Sequence, residues 1–105
     1  MKTYCKAIFW VWALSVIHVM GTATNFWTGV QDADWFNADN WTEAAVPSAS
    51  GHVRVVAATP HAPMLTAATG SLASFTLDAE AELVFSDWES ALRATNITIS
   101  GTLTH

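Results

Sequence analysis

Asp32, Asp34, Asn37 and Asp39 crowd hard oxygen donors into one short stretch. Calcium is the ion that such donors suit, and it collects about six to eight of them. The spacing lacks the central glycine and the closing glutamate of an EF-hand loop, and Asp and Asn are also ordinary turn formers. A solvated turn is the default reading of this cluster, with Ca2+ as the alternative and no other cofactor expected. The same stretch carries Trp27, Trp35 and Trp41. Exposed indole faces stack on sugar rings while neighbouring Asp or Asn take the hydroxyls, so the trio is also a candidate glycan site. A buried cap accounts for it more simply, because an indole covers a large apolar area and asks for a single hydrogen-bond partner.

Catalysis finds little support. His52, His61 and His105 are scattered without a metal-ligand spacing. The single cysteine, Cys5, lies in the extreme N-terminal segment, and no serine occupies a nucleophile elbow. Glu80, Glu82, Asp87 and Glu89 could supply the carboxylate pair of a glycosidase, yet an acidic, solvated edge explains them as well. No catalytic residue is assigned, and the chain reads as a non-enzyme.

The elements that must position these residues begin with a leader. Lys2 and Lys6 precede an apolar run from Ala7 to Met20, and Gly21-Thr22-Ala23 supplies small residues for cleavage after Ala23. The run is short for a membrane span, so residues 1–23 read as a signal peptide, and the product as secreted, either extracellular or at the cell surface. What remains has no cysteine and no lysine. Its nine carboxylates face Arg54 and Arg93 alone, a net charge near −7. Nucleic acid and anionic membranes require clustered Lys and Arg, and neither is an expected partner.

Residues 24–50, rich in Trp, Asp and Asn, form a cap or lead-in segment. From residue 51 onward the pattern changes to short alternating runs. Val53/Val55, Phe75/Leu77 and Ile97/Ile99 are apolar i,i+2 pairs, and the step from the first pair to the second equals the step from the second to the third. Period two marks a half-buried strand, and a repeat of this length marks stacked units that bury one another's apolar faces. A second series, Met64-Leu65, Leu83-Val84-Phe85 and Leu103, follows with steps from Leu65 to Leu83 and from Leu83 to Leu103 that are slightly shorter and not quite equal. Trp88 and Leu92 would share a face if residues 87–95 formed a short helix, although strand and turn signals dominate. Two sequons occur, at Asn40 and Asn96. Asn40 reads as a turn or cap residue, and the positions equivalent to Asn96 are Ser74 and His52, so an asparagine ladder is not expected.

The stretches Trp27-Thr28-Gly29, Asp34-Trp35-Phe36-Asn37-Ala38-Asp39-Asn40-Trp41-Thr42, Val46-Pro47-Ser48-Ala49 and His52-Val53-Arg54-Val55 resemble the opening motif of large secreted bacterial β-helix surface proteins. The later runs Leu72–Leu77, Leu83–Phe85 and Ile97–Leu103 are similar to the rungs that follow it in autotransporter-like and adhesin-like chains. The resemblance spans nearly all of the chain after residue 23, and its motifs are structural rather than catalytic. It implies a long protein of which this chain is the opening piece.

The expected architecture is therefore all-β: a short right-handed parallel β-helix over residues 51–105, about three rungs, truncated at the C-terminus and capped by residues 24–50. A small β-sandwich is the alternative. The expected role is structural or adhesive, a surface module whose partners are further solenoid repeats or other copies of itself. A carbohydrate-binding module that uses its tryptophans on surface glycans, and the non-catalytic leader of a polysaccharide-degrading enzyme, are the alternatives. With its last strand uncovered, residues 24–105 are expected to be marginally stable or to self-associate.

Overall fold

The computed structural model describes residues 23–105; the expected signal segment lies outside the described residues except for Ala23. Seven strands follow in chain order: β1 (Thr24–Phe26), β2 (His52–Val55), β3 (Met64–Leu65), β4 (Leu72–Leu77), β5 (Glu82–Phe85), β6 (Ala94–Ile99) and β7 (Thr102–Thr104). Among the described residues a single 3-10 turn, Ala38–Asn40, interrupts the β and loop character. From β2 onward the strands alternate between two sheets, one four-stranded in the order β1-β2-β4-β6 and one three-stranded in the order β3-β5-β7. Every strand pairing in both sheets is parallel. The chain therefore leaves a sheet, visits the other and returns one strand further along. An antiparallel β-sandwich does not produce that order, so that alternative is corrected.

The register explains the sequence repeat. Val53 pairs with Phe75 and Phe75 with Ile97, while Val55 pairs with Leu77 and Leu77 with Ile99. Alternation then sends this apolar column to one face. In the second sheet Leu65 pairs with Phe85 and Leu83 with Leu103. The expected match of Leu65 with Leu83 is thus out of register by two residues. The reason lies at the corner between the sheets, where residues 56–63 connect β2 to β3 but only 78–81 connect β4 to β5 and only 100–101 connect β6 to β7. The return path, 66–71 and then 86–93, lengthens by the two residues needed to keep the first sheet in step.

Two further departures concern single elements. Residues 24–50 do more than cover the end: β1 pairs with β2, and Asp34 bridges in parallel to Met64, so this segment contributes to both sheets. Residues 87–95 contain no helix; a tight turn closes from Ser90 N–H to Asp87 O at 3.0 Å, and β6 begins at Ala94. Pairing of Ala94 with Leu72, and of Ala91 with Ala68, overrides the weak helical propensity of the Ala-containing run.

The core runs between the sheets. Phe75, Leu77, Leu65 and Leu83 are fully buried, with Trp35 against Phe75 at a centroid distance of 6.1 Å. Burial of each such side chain stabilises the fold by about 1.5–3 kcal/mol. The column does not stay buried to the end, since Ile97, Ile99 and Leu103 are 48%, 39% and 49% exposed.

Candidate functional site

Trp27, Trp35 and Trp41 come together. Trp41 meets both others edge-on, with ring centroids 5.2 Å from Trp27 and 4.8 Å from Trp35. Such pairs are worth about 0.5–1.5 kcal/mol beyond area burial. All three rings are buried, so none presents a face on which a sugar ring could stack. Trp27 Nε1–H donates to His61 O at 2.7 Å and Trp41 Nε1–H to Trp35 O at 2.8 Å. Trp35 Nε1 is buried without a hydrogen-bond partner, an arrangement that costs about 1–3 kcal/mol.

The organiser beside them is Asn40, fully buried at the end of the 3-10 turn. Its Oδ1 accepts the N–H groups of Gln31 and Asp32 at 2.9 and 3.2 Å, and its Nδ2 donates to Asp32 Oδ1 and Asp34 O at 2.7 and 3.0 Å. Its main-chain carbonyl accepts from Thr28 N–H at 2.7 Å and Thr28 Oγ1–H at 2.9 Å. Across the same loop, His61 Nδ1 lies 2.8 Å from Gly29 O. Gly29 has φ +62, and a methyl group there would overlap His61 O and press on Trp27 Nε1. Only glycine suits that position.

In the oxygen cluster proposed for calcium, the side chains of Asp32, Asp34 and Asn37 bond to this loop, while Asp32, Asp34 and Asp39 remain exposed. Asp32 Oδ1 also accepts Asp34 N–H at 3.0 Å and Asp32 Oδ2 accepts Asn37 Nδ2–H at 3.2 Å. Asp34 Oδ1 accepts Phe36 N–H at 2.9 Å, and Asn37 Oδ1 accepts Asp39 N–H at 3.0 Å. The three bonds from main-chain N–H groups are Asx turns, in which a side-chain oxygen satisfies the amide two residues on. Among the described residues no group of three or more His, Cys, Asp or Glu side chains is placed to hold a metal ion. The Asn40 amide, and after it the Asp34 N–H, hold the Asp32 carboxyl below its ordinary value of 3.8.

The remaining polar candidates are distributed along the strands. His52 Nδ1 lies 2.8 Å from Ser74 Oγ, its register partner. Arg54 forms a two-pronged pair with Asp78, at 2.9 and 3.2 Å; half-exposed pairs of this kind contribute under about 1 kcal/mol. Glu80 and Glu82 flank the start of β5, and Asp87 and Glu89 lie on the turn beyond its end.

That turn carries a residue the sequence did not single out as a site. Trp88 is 84% exposed. Ser86 N–H, Ser86 Oγ–H and Ser90 Oγ–H all donate to Leu65 O, at 3.0, 3.1 and 2.8 Å. Asp87 N–H donates to Ser90 Oγ at 3.0 Å and Glu89 N–H to Asp87 Oδ1 at 3.2 Å. Trp88 therefore projects from a backbone fixed on both sides. The signal for it was the Ser-Asp-Trp-Glu-Ser run, whose flanking serines are turn formers. Thr59 Oγ1–H donates to His61 O from two residues away at 3.0 Å, but the contacts that bring His61 to this loop, with Trp27 and Gly29, lie more than thirty positions away and leave no local signal.

Among the described residues no helix is long and apolar enough to cross a membrane. Compared with family models, curated proteins and solved structures, the chain matches none.

Proposed function

We propose that the chain is a secreted or cell-surface structural module, the capped opening of a right-handed parallel β-helix of the autotransporter-like or adhesin-like kind, with no catalysis of its own. The observation that carries this reading is the return of the chain to the same two parallel sheets at constant offsets. In the first sheet the step from Val53 to Phe75 equals that from Phe75 to Ile97, and in the second the step from Leu65 to Phe85 equals that from Leu83 to Leu103. Stacked circuits of this kind bury a continuous column only when each has a neighbour, and they serve as extended scaffolds. The basic start at Lys2 and Lys6, the apolar run at residues 7–20 and the small residues Gly21-Thr22-Ala23 support export.

Two experiments test it. Export of a reporter fused after His105, with mass spectrometry finding cleavage after Ala23, is the expected result; a reporter retained inside the cell overturns the localisation. Appending a second copy of residues 84–105 should supply one more circuit and raise Tm, whereas an unchanged or lowered Tm argues against the β-helix.

A second reading has one observation in its favour, the exposed indole of Trp88 between two acidic residues. It makes the chain a carbohydrate-binding module. A glycan-array signal that disappears in Trp88→Ala while Tm stays unchanged would establish it.

A further inference from the structure

The return path after β5 takes a detour that the preceding circuit does not. Leu65 pairs with Phe85 and Ala68 bridges to Ala91, so the chain spends more residues between Phe85 and Ala91 than the preceding circuit spends between Leu65 and Ala68. The surplus lies in the turn 87–90, closed by Ser90 N–H on Asp87 O. Its entry and exit return to one atom: Leu65 O accepts from Ser86 N–H at 3.0 Å, from Ser86 Oγ–H at 3.1 Å and from Ser90 Oγ–H at 2.8 Å. Past the turn the path rejoins the preceding circuit, where Thr69 N–H donates to Ala91 O at 2.9 Å. Residues 87–89 therefore stand outside the stacked path, and their exposure belongs to the turn itself.

Asp87, Trp88 and Glu89 all face solvent. Trp27, Trp35 and Trp41 are buried, but Trp88 is 84% exposed, and an indole left in water adds nothing to the hydrophobic stabilisation of the fold. Leu92 packs against the core, so the turn offers one ring rather than an apolar patch. A stable protein partner needs about 800 Å² on each side; a sugar needs a single indole face. Charge then narrows the sugar. Both neighbours of Trp88 are carboxylates, and beyond residue 23 nine acids face two arginines, of which Arg54 is engaged by Asp78. A uronate would meet like charge here. An ammonium group within about 6 Å of an indole is attracted by the ring, and the adjoining carboxylates attract it further.

We propose, on the carbohydrate reading of Trp88, that this turn binds glycans bearing free amines. The ligand is a polymer of 2-amino-2-deoxy sugars, one ring lying on the indole with its ammonium group toward Asp87 and Glu89. Because the serine bonds already hold the turn, binding orders little beyond the side chains themselves.

The test uses the full chain recovered from an exporting host and titrated, at mildly acidic pH where the amines are protonated, with β-1,4-linked glucosamine oligomers, their fully N-acetylated counterparts and polygalacturonate. The free-amine oligomer should bind best and polygalacturonate not at all. Trp88→Ala should weaken binding about fivefold or more with Tm unchanged. Glu89→Gln should weaken it about two- to fivefold at low salt and narrow the preference over the acetylated oligomer. Equal binding of the two oligomers, lost in Trp88→Ala, leaves the carbohydrate reading standing and overturns the amine preference. Binding that survives Trp88→Ala is attraction of a polycation to an acidic chain and overturns the site. Binding of neither oligomer overturns the carbohydrate reading as well.

Discussion

Asn40 ties the first circuit together with polar bonds at a position where solvent does not reach. Leaving buried donors without acceptors costs about 1–3 kcal/mol each, and Asn40→Ala would do so at the Gln31 and Asp32 N–H groups. Denaturant melts should show a loss of about 2–4 kcal/mol. Gly29→Ala acts at the neighbouring strand of the loop. It demands a positive φ of alanine and pushes a methyl group against His61 O, so Tm should fall, and Trp27 fluorescence should change as its hydrogen bond to His61 loosens. Asp32 makes this corner sensitive to acid. Its folded pKa lies below 3.8, with the Asn40 amide as the main cause. The unfolded chain then binds the proton more readily, so the stabilisation is complete above 3.8 and disappears as pH falls through the folded value. Thermal melts across that window should show a slope that flattens in Asp32→Asn.

Phe75 and Ile97 occupy the same column of the first sheet, one pairing directly with the other, yet they differ in what surrounds them. Phe75 has neighbours on both sides and Ile97 on one. Phe75→Ala should cost about 3–5 kcal/mol, as deletions from a filled core do, and Ile97→Ala well under half of that by chemical denaturation; equal losses would show that Ile97 is buried in solution. This column was legible in the sequence because i,i+2 apolar pairs at a constant interval are a local signal repeated three times. The second sheet was only partly legible. Its strands are short, and the corner ahead of them shrinks from residues 56–63 to 78–81 to 100–101, so the eye matches Leu65 with Leu83 where the backbone matches it with Phe85. Strand β1 was hidden for a related reason: Thr24-Asn25-Phe26 is too brief to show a period, and its partner β2 lies beyond the whole of the tryptophan-rich loop. At that loop, residue types announced turns correctly. Which turn donors would converge on Asn40, and that His61 would arrive from the far side, depend on tertiary contacts that no short window contains.

Along the described residues, burial is graded from one end to the other. Burial falls from the tryptophan-rich first circuit to β6, whose residues beyond Ala94 are all exposed. Opening free energies follow local burial, so native-state hydrogen exchange should show protection highest in β2 and β4 and lowest in β7. The buried amide of Asn40 has a consequence for biosynthesis as well. Oligosaccharide transfer occurs on Asn-X-Thr while a chain is still emerging and unfolded, and Asn40-Trp41-Thr42 fits that rule. A eukaryotic secretory host would place a bulky glycan on the nitrogen that later has to reach Asp32 and Asp34, and the first circuit could not close around it. Asn96 lies on exposed β6 and would tolerate the same glycan during folding, so the host's enzymology, acting before the fold exists, decides whether this sequence reaches it.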